Sequence, residues 1–117
     1  MFILIVDDAQ SRHERFKDIF AGVSDVNGSP VVMSAFTMDE AKDLMSRHTF
    51  NMLCLDHDLG HKTKDGRAFC RWVVSTTAKP EKVLIHSRNS VANREMANIL
   101  LDKYGRSCNV RIMPFEA

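Results

Sequence analysis

Three short runs, Phe2–Val6, Met52–Leu55 and Lys82–His86, are almost uniformly apolar, and each gives way abruptly to polar residues at its C-terminal end. A strand wetted on one side alternates apolar with polar residues, whereas a strand covered on both sides does not. These runs therefore predict the central strands of a parallel sheet with helices on both faces. Val31–Ala35 and Asn109–Met113 are two further β-rich runs.

Helical patterns separate the strands. Ser11-x-x-Glu14 and Thr37-x-x-Glu40 both fit a capping box, in which hydroxyl and carboxylate satisfy reciprocal orphan N–H groups. Behind them, Phe16, Ile19 and Phe20, then Ala41, Leu44, Met45 and His48, recur at helical spacing and predict core-facing stripes. A third helix is expected from Gly66 to Thr76, burying Phe69, Trp72 and Val73 and ending before Lys79-Pro80. A fourth follows Ser90, with Ala92, Met96, Ile99 and Leu100 on one stripe and a stop at Gly105. The Gly/Ser/Asn/Pro-rich stretch from Gly22 to Pro30 is a plain connection. Strand–helix alternation with short links predicts a doubly wound parallel sheet with right-handed crossovers. Ligands of such sheets bind at the carboxyl ends of the strands.

At 117 residues the chain is expected to form one domain, residues 1–117, with a core that needs no staples. A net charge of +1, with both signs interspersed, excludes a global field that would draw in nucleic acid or a membrane. Cys54, Cys70 and Cys108 are scattered and odd in number, which argues against a disulfide framework or a zinc knuckle and for a reducing, cytoplasmic setting. The opening apolar run is too short for a signal core or a membrane span. No Ser/His/Asp triad, P-loop or dinucleotide fingerprint is present.

The chemistry-bearing residues lie at the strand ends: Asp7-Asp8 after the first run, Asp56-His57-Asp58 after the third, His86-Ser87-Arg88-Asn89 after the fourth. One Asp after a strand is often only a helix N-cap, a role open to Asp8, and Asp65 before Gly66 fits a turn. Several carboxylates on one rim, however, repel each other unless a cation sits between them. Asp7, Asp8 and Asp56 are accordingly the candidate ligands of Mg2+, which takes oxygen ligands, or of Mn2+. Asp56 and Asp58 lie two apart on an extended segment, so one could bind metal or attack phosphorus while the other moves a proton. His86, next to Ser87 on the rim, is a candidate acid/base or phosphate contact. Ser87 and Asn89 are candidate donors to phosphate oxygens, with Arg88 and Lys64 as sources of charge. His61 is either a further phosphate contact or a hydrogen-bonded rim residue. His57 is expected to face a neighbouring element, and His13 and His48 to be structural or exposed.

These residues resemble the response-regulator receiver family over essentially the whole chain: Ile3-Leu4-Ile5-Val6-Asp7-Asp8, Leu53-Cys54-Leu55-Asp56, Asp65-Gly66, Ser87 and Met113-Pro114-Phe115. The resemblance implies a five-stranded flavodoxin-like α/β sheet of order 2-1-3-4-5. It also implies a metal and phosphoacceptor set of Asp7, Asp8 and Asp56 with Ser87 as a switch hydroxyl. The family lysine is replaced by Met113, and with Ala117 three residues after Pro114 the family's last helix is expected to be missing. A missing last helix would thin the cover near Phe16, Ile19 and Phe20. The expectation is either a homodimer through that face or a monomer in which the first helix tilts over the gap and Phe115 folds back to plug it.

Asp56-His57-Asp58-Leu59-Gly60 together with His86-Ser87-x-Asn89 is more similar to a divergent branch, the cyclic-phosphate-processing receiver-like domains. That resemblance implies a metal-dependent phosphoesterase acting on a small phosphorylated compound, a cyclic phosphate or nucleotide, or an RNA end. Asp56, Asp58 and His86 would be catalytic, and Ser87, Asn89, His61 and Arg88 would bind substrate. The alternative is an atypical receiver or pseudo-receiver that signals or binds without catalysis.

Overall fold

The structure, a computed structural model, describes residues 1–23 and 28–113. In chain order the elements are β1 (Phe2–Val6), α1 (Gln10–Ala21), β2 (Val31–Ala35), α2 (Met38–Arg47), β3 (Met52–Leu55), α3 (Gly66–Ser75), β4 (Lys82–His86), α4 (Ser90–Tyr104) and β5 (Asn109–Met113). The strands form one parallel sheet of order β2-β1-β3-β4-β5. All five strands coincide with the runs expected from sequence, and the order is that of the flavodoxin-like receiver fold.

Side-chain alternation divides the sheet into two faces. Leu4, Val6, Leu53, Leu55, Val83 and Ile85 face α2, α3 and α4 in one large apolar cluster with Phe69, Val73, Met96 and Leu100. Ile3, Ile5, Met52 and Cys54 face α1 and pack on Phe16 and Phe20. Residues of that second parity continue, past the strand tips, into Asp7, Asp56 and His86, all buried. The site described below is thus the polar end of the smaller core.

Local sequence explains most helix limits. Thr37 caps α2, accepting from the Glu40 N–H at 3.1 Å, while Glu40 accepts from the Phe36 N–H at 3.0 Å. The expected box is therefore present, with its return bond shifted by one residue. Asp65, expected in a turn, is the N-cap of α3, accepting from the Ala68 N–H at 2.9 Å. Gly105, at φ 56°, occupies the left-handed region that glycine adopts at little cost and stops α4. Gly66 is required for a different reason, because a Cβ there would lie 2.4 Å from the Asp56 carbonyl oxygen and 2.8 Å from the His57 Cα. Only glycine lets α3 start directly against the tip of β3.

Two expectations need correction. The Ser11-x-x-Glu14 box is absent, since α1 begins at Gln10 after Ala9, and Ser11 and Glu14 lie exposed on its surface. The Asp7 carboxylate instead accepts from the Ala9 N–H at 2.9 Å, leading the chain into the helix earlier. Ile19, expected beside Phe16 and Phe20, is 53% exposed, because the narrow contact of one helix with the sheet has room for the other two only. Pro114 and Phe115 of the family tripeptide lie outside the described residues, as do residues 24–27 of the connection before β2. No helix among the described residues is long and apolar enough to cross a membrane. Cys54, Cys70 and Cys108 are buried free thiols, and burial pushes those of Cys54 and Cys70 up to about 12, which makes them unreactive.

Candidate metal centre at the strand ends

β1 and β3 are neighbours in register, Val6 opposite Leu55, so their next residues, Asp7 and Asp56, leave the sheet side by side. β4 lies beside β3 and runs one residue past it, bringing His86 to the same level. Parity then selects which side chains meet. Asp7, Asp56 and His86 all point to the α1 face, and one potential ligand atom from each lies within 4.8 Å of the others. Asp8 has the opposite parity and is exposed, so it stands at the margin of this group.

The site also contains a cation that strand-end reasoning did not identify. Arg12, on the first turn of α1, reaches over the strand tips: its Nε donates to Asp7 Oδ2 at 2.6 Å, and its Nη2 to Asp8 Oδ1 and Asp56 Oδ2, both at 3.2 Å. A signal for it was present in the sequence. The first turn of a helix is the positive end of its dipole, where an arginine is unfavourable without nearby anions, and Asp7 and Asp8 lie five and four residues before Arg12. The bond to Asp7 is the main reason that the Arg12 pKa is raised.

One guanidinium does not neutralise this group. Burial, then the charge of Asp7, pushes the Asp56 carboxyl up to about 7 despite Arg12. Burial and then Asp58 and Asp7 raise Asp8 as well. His86, fully buried, is driven down to about 4, chiefly by burial, and is a neutral imidazole near pH 7. Its Nδ1 lies 3.5 Å from Asp7 Oδ2, and its ring packs on Phe16 at 4.7 Å between centroids. His13 supports the group from behind, with Nε2 2.7 Å from the Asp7 carbonyl oxygen and Nδ1 2.9 Å from Ser34 Oγ. It is structural, as expected.

The cluster opens into a cavity of about 340 Å³ lined by Arg12, Asp56, His57, Asp58, His86, Ser87, Arg88 and Asn89. Six of the expected site residues, Asp56, Asp58, His86, Ser87, Arg88 and Asn89, therefore meet in one hollow. Some of their polar atoms are already engaged. Ser87 Oγ donates to Asn93 Oδ1, and Asn89 Oδ1 accepts from the Ala92 N–H at 3.0 Å as the N-cap of α4. His61 does not join them. It lies beside Thr37, Asp39 and Lys64 in a separate depression, where its Nδ1 accepts from the Thr63 and Lys64 N–H groups, each at 3.2 Å. Lys64 pairs there with Asp39 at 2.9 Å. His57 does face the cavity, and its Nε2 lies 3.3 Å from Asp65 Oδ2. Burial opposes the Asp65 charge, but the Ala68 N–H and the charges of His57 and Arg67 outweigh it and lower its pKa.

The donor set suits a divalent cation. Two buried carboxylates and an imidazole converge, and the burial and neighbouring Asp7 charge that lift Asp56 are what such an ion would offset. Oxygen ligands alone suit Mg2+, while participation of His86 would shift the preference toward Mn2+. A larger hollow of 520 Å³ beside the residues that lead into β3 and β4, lined by Phe50 and Trp72, brings no such group together among the described residues.

An acidic rim on a five-stranded sheet of order 2-1-3-4-5 is the arrangement of a receiver domain. Comparisons with known proteins agree. The receiver domain of NtrX from Brucella abortus superposes with a TM-score of 0.69 at 20% identity, over 97% of this chain and 87% of that one. The Francisella response regulator 1452 receiver domain gives 0.68 at 16%, over 97% and 82%. The signal receiver domain of an HD domain-containing protein from Pseudomonas fluorescens Pf-5 gives 0.72 at 13%, over 97% and 80%. At these identities the likeness concerns the fold. No curated protein matches the chain. Residues 2–102 match the family described as "Cyclic-phosphate processing Receiver domain", and the chain belongs to that family.

Proposed function

We propose that this domain is a metal-dependent phosphoesterase acting on a cyclic phosphate. The observation that carries the reading is the buried Asp7–Asp56–His86 group, of which Asp56 and His86 line a cavity together with Ser87, Arg88 and Asn89. Asp7 and Asp56 would hold Mg2+ or Mn2+, with His86 or Asp8 completing the set. When bound, the ion would supply Lewis acidity toward a phosphoryl oxygen and toward water.

The protein's own groups divide the remaining work. Asp58 is exposed and lines the cavity, and its Oδ1 already accepts from the Gly60 N–H at 3.0 Å. Its second oxygen would take or return a proton. His86 is neutral at pH 7, so it serves as an acceptor or ligand and not as the general acid. Arg88 and the NH2 of Asn89 are donors for phosphate oxygens. Ser87 fixes the loop between β4 and α4 through Asn93.

The test is a hydrolysis screen in Mg2+ and in Mn2+ against cyclic mono-, di- and oligonucleotides and RNA ends carrying a 2′,3′-cyclic phosphate. Asp56→Asn and Asp58→Asn should each lower the rate on order of a hundredfold or more. Absence of cleavage in both ions would overturn the reading. A lasting phosphoryl adduct on Asp56 after acetyl phosphate treatment, seen by intact mass, would favour a signalling receiver instead. Such an adduct is not expected, because Met113 stands at the end of β5 opposite His86 where that family carries a lysine.

A further inference from the structure

Arg12 is bound by the same carboxylates that would hold the metal. Its fork spans Asp7, Asp8 and Asp56, and Nη2 lies 3.2 Å from the Asp56 oxygen Oδ2. Asp7 Oδ2, which accepts from Arg12 Nε, also lies 3.5 Å from His86 Nδ1. A guanidinium and a divalent ion compete for these carboxylates, since two cations side by side in a partly buried site repel each other. Arg12 has somewhere else to go. Its side chain is 29% exposed, rises from an exposed helix surface and lines the cavity together with Arg88 and Asn89. The planar fork that bridges carboxylates also matches the oxygens of a phosphate.

We propose that Arg12 is an exchangeable counterion, which holds the acidic group together without metal and turns its guanidinium to the substrate phosphate when a divalent cation takes its place. The inference rests on the metal-dependent reading above and adds a residue and an order of events to it. Metal and phosphate would bind cooperatively, because the cation releases the group that receives the anion. Metal-free protein would bind phosphate weakly, with its main fork engaged elsewhere.

Direct titration of Mn2+ and of inorganic phosphate, with no turnover involved, tests this. Arg12→Met should bind Mn2+ at least about tenfold more tightly than the parent, the order expected from removing a like charge beside the ion. At saturating Mn2+ it should bind phosphate at least about tenfold more weakly, through loss of the bidentate contact. Arg12→Lys keeps the charge but cannot bridge three carboxylates, so its Mn2+ affinity should lie between the two, and it decides the matter if Arg12→Met does not fold. A purely structural arginine would give the opposite result, with weaker metal binding in both variants. If the parent binds Mn2+ and neither variant binds it more tightly, the exchange falls and the metal-dependent function stands. If no protein of the set binds Mn2+, both fall.

Discussion

The two faces of the sheet are built from the same strands and behave as different materials. Toward α2, α3 and α4 lies a large apolar cluster in which Phe69, Leu53, Leu55, Ile85 and Leu100 are fully buried. Toward α1 lies a smaller one, Ile3, Ile5, Phe16, Phe20, Met52 and Cys54, which runs without a break into Asp7, Asp56 and His86. Burial stabilises the first face, whereas on the second it raises the energy of charges. The comparison teaches that a buried acidic group needs an adjoining dry core to hold it and a separate, larger core to sustain the fold around it.

The largest effect should come from the dry face. Phe69→Ala should destabilise by about 3–5 kcal/mol in urea unfolding, with little change in Mn2+ affinity relative to its folded fraction. An equal loss from Phe16→Ala would break the contrast between the faces, since Phe16 packs in the smaller cluster.

Next, Asp56→Asn should stabilise the metal-free protein at pH 8 by on the order of 1–3 kcal/mol, because it removes a buried charge held among others of the same sign. On the proposed metal-dependent reading Mn2+ should raise the melting temperature of the parent, and the same substitution should abolish that rise. A destabilised Asp56→Asn would mean that the bond from Arg12 outweighs the cost of burial.

Gly66 joins the faces. Gly66→Ala should cost about 1–3 kcal/mol, since its Cβ meets backbone atoms of Asp56 and His57, which cannot move without displacing the site. Loss of metal affinity along with stability would sharpen the view that α3 sets the position of the tip of β3.

The pH dependence of the metal-free protein separates the two buried titrating groups. Asp56, raised to about 7 in the folded state, keeps a proton that the unfolded chain releases near 3.8, so its contribution to stability falls as pH rises through that interval. His86, lowered to about 4, refuses a proton that the unfolded chain takes near 6.5, so its contribution falls as pH drops through 6.5 toward 4. The slopes oppose each other, and the parent should be nearly flat between these limits. In EDTA, urea midpoints of Asp56→Asn should fall on acidification, and those of His86→Gln should fall as pH rises. The smallest effect is expected at the surface of α1, where Ile19→Ser should change stability by no more than about 0.5 kcal/mol.

The strands and their tips were legible in the sequence because the signal is local: a run buried on both faces must be apolar throughout, and the chemistry begins where it stops. Thr37 and Gly105 marked helix limits for equally local reasons. Even the choice of Asp7, Asp56 and His86 over Asp8 is implicit in the two-residue period of a strand, once neighbouring strands and their register are known. The sequence by itself did not determine that register, nor how α1 lies across the sheet. Those are set by packing of Phe16 and Phe20 on Ile3, Ile5 and Cys54, contacts between residues far apart in the chain. The seating of α1 decided that Ile19 would face solvent, that His13 would sit behind Asp7, and that the Arg12 fork would close over carboxylates from two strands. An arginine on a first turn carries a long, flexible side chain, and only the tertiary structure determines which charges lie within its reach.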